Sequence, residues 1–253
     1  MLIDTHCHLD APEFDADREQ VVAAAKAAGV GAVIVPAVSI ATLDSTRAVC
    51  STRQGWAHPA YGLHPIYVNT HQREDIFILK NWLSQNRAVA VGEIGLDGFV
   101  DGLSMSEQEW FFVEQLKLAR EFDLPVVLHV RRALDVVLKH LRRYKVKGGI
   151  AHAFNGSSQQ AEAFIQLDFK LGFGGAMTYP RALNIRRLAA TLPLESIVLE
   201  TDAPDIPPEW DAHGRNTPEY LPRIAATCAD LRAISVDELV RATHQNARAV
   251  LSL

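Results

Sequence analysis

Several things are scarce or missing in this chain of 253 residues. Its three cysteines, Cys7, Cys50 and Cys228, lie far apart and form no Cys-x-x-Cys pair, which argues against a disulfide framework and for a reducing compartment. No stretch reaches the roughly 18 consecutive apolar residues that a membrane-spanning helix needs, and no basic stretch followed by an apolar core opens the chain. A cytoplasmic protein with no membrane association is expected. Positive charge is also short, with 25 Lys and Arg against 30 Asp and Glu, a net of -5. The chain therefore has no global attraction to polyanions, and any nucleic-acid contact must use a local basic patch or metal ions. No Gly-x-Gly-x-x-Gly follows the first strand, which weakens an open doubly wound sheet as the alternative fold. Low-complexity tracts and sequence repeats are absent.

What is present is a repeated pattern. With 48% hydrophobic residues the chain can bury a full core. Short apolar runs of the kind buried on both faces of a parallel sheet recur at 2–6, 31–36, 57–62, 88–93, 125–129, 149–152, 169–174 and 196–202. Between them lie segments of helical character: 15–28, 42–51, 74–83, 104–122, 133–144, 157–167 and 183–191. The fourth of these shows Ser106 and Glu109 at capping-box spacing. Two more helices, about 218–231 and 236–251, close the chain. Eight strands alternating with helices, with no linker or composition break, predict one domain over residues 1–253, a (β/α)8 barrel of the TIM type.

On that scaffold the ligand-type residues fall at equivalent places. His6 and His8 sit two apart at the end of the first strand, so both imidazoles can aim at one point while Cys7 faces the wall. His64 follows the third strand, Glu93 ends the fourth, His129 the fifth, His152 the sixth and Asp202 the eighth. All belong to the carboxyl rim, where catalytic residues of such barrels converge. His58, His71, His140, His213 and His244 sit elsewhere and read as surface or core histidines.

Four imidazoles (His6, His8, His129, His152) with Glu93 and Asp202 are too many for one tetrahedral catalytic zinc that must keep an open position. They suit two divalent ions with a carboxylate such as Glu93 between them and an activated water. Asp202 can hold a metal and also orient or deprotonate that water. Arg131 and Arg132 follow His129 after a single valine, and Arg215-Asn216 lies on the long loop after Asp202. Arginines so placed can take a phosphate through paired hydrogen bonds. His64, Arg131, Arg215 and Asn216 are thus expected to bind substrate, with Asp202, Glu93, His64 and Arg131 in catalysis. Tyr67, Phe99, Phe154 and Tyr179 are the aromatics available for stacking near the rim. The basic stretch Lys139, Arg142, Arg143, Lys145 and Lys147 faces the other rim and reads as a solvated helix end.

Asp4-Thr5-His6-Cys7-His8-Leu9, Gly62-Leu63-His64-Pro65, Val91-Gly92-Glu93-Ile94-Gly95-Leu96-Asp97, Leu124-Pro125-Val126-Val127-Leu128-His129 and Glu200-Thr201-Asp202-Ala203-Pro204 resemble, in order and over nearly the whole length, the TatD family of metal-dependent hydrolases. Arg215-Asn216-Thr217-Pro218 is similar to the family's Arg-Asn-x-Pro element. The resemblance implies an amidohydrolase-like barrel and deoxyribonuclease activity with divalent metal. His6 and His8 would hold one ion with Glu93 and Asp202, and Glu93, His129 and His152 the other. Zinc, magnesium and manganese are all admitted. Ile66 stands where many members have a second histidine, and Gly98 where an aromatic commonly follows Leu-Asp. These departures and the pair Arg131-Arg132 look more like the YjjV-type branch.

The expected activity is hydrolysis of DNA phosphodiester bonds from a strand end, in the 3'-5' direction, on single-stranded DNA or strand ends. The alternative is hydrolysis of a C-N or ester bond in a small molecule or aminoacyl ester, since related barrels attack carbonyl carbon in the same way. No protein partner is indicated.

Overall fold

A computed structural model describes residues 1–253. The strands β1 (Leu2–Asp4), β2 (Val30–Pro36), β3 (Ala57–Tyr61), β4 (Ala90–Asp97), β5 (Val126–Arg131), β6 (Gly149–Ala151), β7 (Phe169–Phe173) and β8 (Ile197–Leu199) lie side by side in chain order. Every neighbouring pair is parallel. β8 comes back beside β1, where Thr5 N–H donates to Leu199 O at 3.1 Å and Asp202 N–H to His6 O at 2.8 Å. The result is the expected barrel, nearly closed.

Helices fill the connections: α1 (Arg18–Ala27), α2 (Leu43–Ser51), α3 (Asp75–Gln85), α4 (Met105–Glu121), α5 (Leu134–Tyr144), α6 (Ser158–Ile165), α7 (Leu183–Thr191), α8 (Leu221–Arg232) and α9 (Val236–Leu251). None is long and apolar enough to cross a membrane. The cap of α4 falls two residues before the expected one. Ser104 accepts from Glu107 N–H, while Ser106 already lies inside the helix. Serine at 104 and acid at 107 satisfy the same spacing rule, and the free N–H groups of the first turn are met by the earlier pair.

Inside the barrel, Ile34, Ala60, Ala90, Val127, Ile150 and Val198 pack together with Ala247 and Leu251 of α9. The interior is therefore solid at its lower end, with α9 as the floor, and any site must lie at the carboxyl rim. A strand repeats its facing every second residue. From these inward anchors the rule gives Ala60 then Gly62 and His64, Val127 then His129 and Arg131, Ile150 then His152, and Val198 then Glu200 and Asp202. The expected rim residues are thus carried up from the packed layers.

β4 differs from its expected end at Glu93. It runs on to Asp97, buried throughout, with Leu96 paired to Val130 and Asp97 to Arg131. Gly95 is what permits this. It has a φ of 148°, and a Cβ there would sit 1.9 Å from His129 O. Only a residue without a side chain lets β4 approach β5 so closely.

Candidate metal centre

Glu93 is the centre of the cluster, and it is buried. Its Oε2 lies 2.9 Å from His6 Nε2 and 3.4 Å from His8 Nε2. Its Oε1 lies 2.9 Å from His152 Nε2, 3.1 Å from His64 Nε2 and 3.2 Å from His129 Nδ1. Asp202 Oδ1 approaches the His6–His8 side, 3.5 Å from His6 Nε2 and 3.9 Å from His8 Nε2. Each carboxylate oxygen of Glu93 thus faces its own set of imidazoles. One buried charge serves two groups of donors.

The donors fit divalent cations. His6 Nε2 and His8 Nε2 point at each other across 3.3 Å, the separation two nitrogens have when each sits about 2.1 Å from one ion. Glu93 Oε2 is buried and, although His6 Nε2 and His8 Nε2 lie near it, it receives no well-aligned hydrogen bond, a costly state for a carboxylate unless a cation answers it. Groupings within ligand reach of one ion occur at His6, His8 and Glu93, at His6, His152 and Asp202, and at His64, Glu93 and His129.

Which ring nitrogens are free to ligate follows from what the others touch. His8 Nδ1 lies 3.2 Å from Pro36 O and donates to it, leaving Nε2 for the site. His129 is reversed: its Nε2 donates to Asp97 Oδ2 at 2.8 Å, so Nδ1 faces Glu93. His64 differs from both. Its Nδ1 accepts from Ile66 N–H at 3.1 Å, which leaves the proton on Nε2, toward Glu93 Oε1. Burial pulls its pKa down to about 4, so the ring is neutral at pH 7 and acts as a donor. Proximity alone would admit His64 as a ligand, but its tautomer makes it a hydrogen-bond donor.

In the chain without metal, burial and the nearby charge of His152 pull His6 down to about 3. For His8 burial acts downward too, but the hydrogen bond and charge of Glu93, with Asp202, outweigh it and raise the ring to about 9. His129 is held up against burial by Asp97 and Glu93, and His152 by Glu93 and Asp202. Burial pushes Asp202 up to about 7, against the pull of His152 and His8. Glu93 stays well below its usual range because the surrounding imidazoles outweigh its burial.

An open cavity of about 890 Å³ stands over this cluster, lined by His8, His64, Glu93, His129, His152 and Asp202 among others. Arg131, Arg132, Tyr67 and Phe99 lie on its wall. Phe154 and Tyr179 do not: Phe154 packs on Phe164 in the core, and Tyr179 donates its hydroxyl to Pro207 O. Arg215 and Asn216 also take other places than expected. Arg215 binds both oxygens of Asp17, at 2.9 and 2.6 Å, and covers the Phe14 ring. Asn216 is buried, and its amide donates to Thr201 O and Asp205 O, both at 2.7 Å. Adjacent to each other in sequence, the two tie down the loop after Asp202 and do not line the cavity. Cys7 is buried among apolar side chains, as its position between His6 and His8 demands.

Three buried acids escaped the sequence reading. Asp97 orients His129. Glu200 lies below Asp202, with Oε1 3.7 Å from His152 Nδ1 and accepting from Ala153 N–H at 2.5 Å. Asp4 accepts from Thr201 Oγ1 at 2.6 Å and Thr201 N–H at 2.9 Å, joining β1 to the end of β8. Burial raises its pKa to about 7. The signal for Glu200 was available, since it lies between Val198 and Asp202 on the same inward face.

A family model described as "TatD related DNase" matches residues 3–252. The chain belongs to the TatD family. It is a metal-dependent hydrolase of that family, 44% identical to the uncharacterized metal-dependent hydrolase YjjV of Escherichia coli K12, over 96% of this chain and 95% of that one. The crystal structure of that TatD homologue superimposes with a TM-score of 0.95 at 41% identity, covering 100% and 98% of the two chains. Another TatD relative, named a 3'-5' ssDNA/RNA exonuclease in a Pantoea strain, is 31% identical with both chains covered in full.

Proposed function

We propose that this chain is a deoxyribonuclease that uses two divalent ions, zinc, magnesium or manganese, to hydrolyse DNA phosphodiester bonds from the 3' end of a single strand. The observation that carries the reading is the division of Glu93, one oxygen to His6 and His8 and the other to His129 and His152. His6, His8, Asp202 and Glu93 would hold one ion, and Glu93, His129 and His152 the other. When bound, such a pair neutralises charge on the phosphate and lowers the pKa of the attacking water.

The chain's own residues do the rest. Asp202 stands at the cavity wall beside His6 and His8; it would take the proton from the attacking water. His64 presents a neutral Nε2–H to the cluster and keeps Glu93 in place. Arg131, on the inward face two residues beyond His129, receives phosphate oxygens. The relative named as a 3'-5' exonuclease supports the choice of bond and direction.

The test is hydrolysis of end-labelled single-stranded DNA by metal-free protein resupplied with magnesium, manganese or zinc, beside Asp202→Asn. Metal-dependent shortening from the 3' end, lost in the variant, is expected. DNA intact under every metal, with two ions bound, would overturn the nuclease reading and favour the C-N or ester substrate.

A further inference from the structure

The cavity is electrically two-sided. In chain order around the barrel, the loops after β8 and β1 adjoin, and both lie across from the loops after β4 and β5. The first pair brings Asp10, Glu13 and Asp205 to the cavity wall, and the second brings Phe99, Arg131 and Arg132. One half carries carboxylates and the other guanidinium groups.

Arg131 and Arg132 share one ring: their Cζ atoms lie 3.5 and 4.5 Å from the Phe99 centroid. Consecutive residues of a strand point to opposite sides. Here Arg132 has a φ of 54°, in the left-handed region that side-chain-bearing residues rarely adopt, and this turn brings its guanidinium back to the side of Arg131. Gly98 completes the arrangement. Its N–H donates to Arg131 O at 2.7 Å, and a Cβ there would meet Arg132 O at 3.1 Å.

Both arginines are exposed and neither has a carboxylate partner. Arg47, Arg73 and Arg215 also lie over rings, but each pairs with an acid: Asp44, Glu107 and Asp17. Arg143 and Arg223 stack without one and stay outside the cavity. The loop is also tied to the metal centre. Asp97 Oδ1 accepts from Phe99 N–H and Val100 N–H at 2.7 and 2.9 Å, while its Oδ2 accepts the Nε2–H of His129.

We infer that Phe99, Arg131 and Arg132 form a subsite for the strand beyond the scissile bond: the two guanidinium groups hold its next backbone phosphates, and Phe99 keeps both guanidinium groups in place. This rests on the nuclease reading above. Two guanidinium groups held over one ring at a fixed place are pre-organised for phosphate. The acidic half repels a polyanion, so the strand leaves the site on one side only, over β4 and β5. A strand end fits this field, and a strand running through both halves does not.

The test separates the subsite from the chemistry. Binding of a fluorescent eight-nucleotide single strand is followed by anisotropy over a salt series, for the metal-loaded chain and for Arg132→Ala and Phe99→Leu. Cleavage of the same octamer and of a dinucleotide is measured in parallel. Arg132→Ala is expected to flatten the plot of log affinity against log salt by about 0.7, the slope of one single-strand phosphate contact. Both variants should lower the octamer-to-dinucleotide ratio of kcat/KM by roughly 5- to 10-fold, in line with ~1–1.4 kcal/mol for one lost phosphate contact. Unchanged slope and ratio would overturn the subsite even if DNA is cleaved. A flattened slope with no cleavage by the parent would support the subsite and overturn the nuclease reading. No binding by the parent would overturn both.

Discussion

His129 donates a hydrogen bond from Nε2–H to Asp97 Oδ2 at 2.8 Å, and this one hydrogen bond decides that Nδ1 is the nitrogen aimed at Glu93. The same carboxylate holds the backbone of the loop that carries Phe99. Asp97→Asn keeps the size and an acceptor oxygen for the loop but places a neutral amide against the ring. The negative charge that fixes the tautomer is gone. Affinity for the ion at His129 is expected to fall about 10- to 100-fold with the fold retained, read by metal titration beside a circular dichroism spectrum. Parent-like affinity would remove Asp97 from the centre.

Metal uptake should expel protons. In the metal-free chain His8 is raised to about 9 and Asp202 to about 7, so below about pH 7 both hold protons that a cation must displace. Apparent affinity is therefore expected to rise with pH, by about tenfold per unit for each proton displaced, with His129 and His152, also held up by the nearby carboxylates, adding to the rise. Acid releases the metal. Calorimetry in buffers of different ionisation enthalpy counts the protons, and a flat affinity from about pH 6 to 9 would exclude both residues as ligands.

The rim cluster was legible in the sequence because strand ends are local and strand facing has a period of two. His6, His8, Glu93, His129, His152 and Asp202 needed only those rules to be placed together, and the structure brings them within contact of one another. The barrel followed from the count and alternation of elements. What stayed hidden depends on distant chain segments. Arg215 meets Asp17 across nearly the whole sequence, and no local pattern shows that its guanidinium is already engaged. Asn216 reads as a substrate-binding residue until its loop folds and turns its amide to Thr201 O and Asp205 O. The true end of β4 lies beyond the expected 88–93 because the closeness of His129 O, which no local pattern shows, makes Gly95 a requirement of the strand.

That requirement gives a stability test with an internal control. At Gly95 a methyl would collide with β5 at 1.9 Å and keep an unfavourable φ, whereas at Gly29, with φ of 95°, a Cβ meets nothing within 4 Å. Gly29→Ala pays only for its backbone conformation, about 1–2 kcal/mol. Gly95→Ala adds a steric clash in a buried sheet, for a total of roughly 2–6 kcal/mol. Urea denaturation of both variants measures the difference. Equal losses would show that β4 and β5 can separate at little cost.

The strongest demand falls on Glu93, because its two oxygens face different groups of imidazoles. A ligand that serves one ion can be lost with the other ion kept, but a shared ligand cannot. His8→Ala should therefore reduce metal content from two equivalents to one, while Glu93→Gln should lower both, since an amide has one weaker acceptor and turns N–H groups toward one set of ligands. Elemental analysis of the purified variants after dialysis against metal reads the stoichiometry directly. Two equivalents in Glu93→Gln would exclude a bridging carboxylate, and one equivalent would assign Glu93 to a single ion.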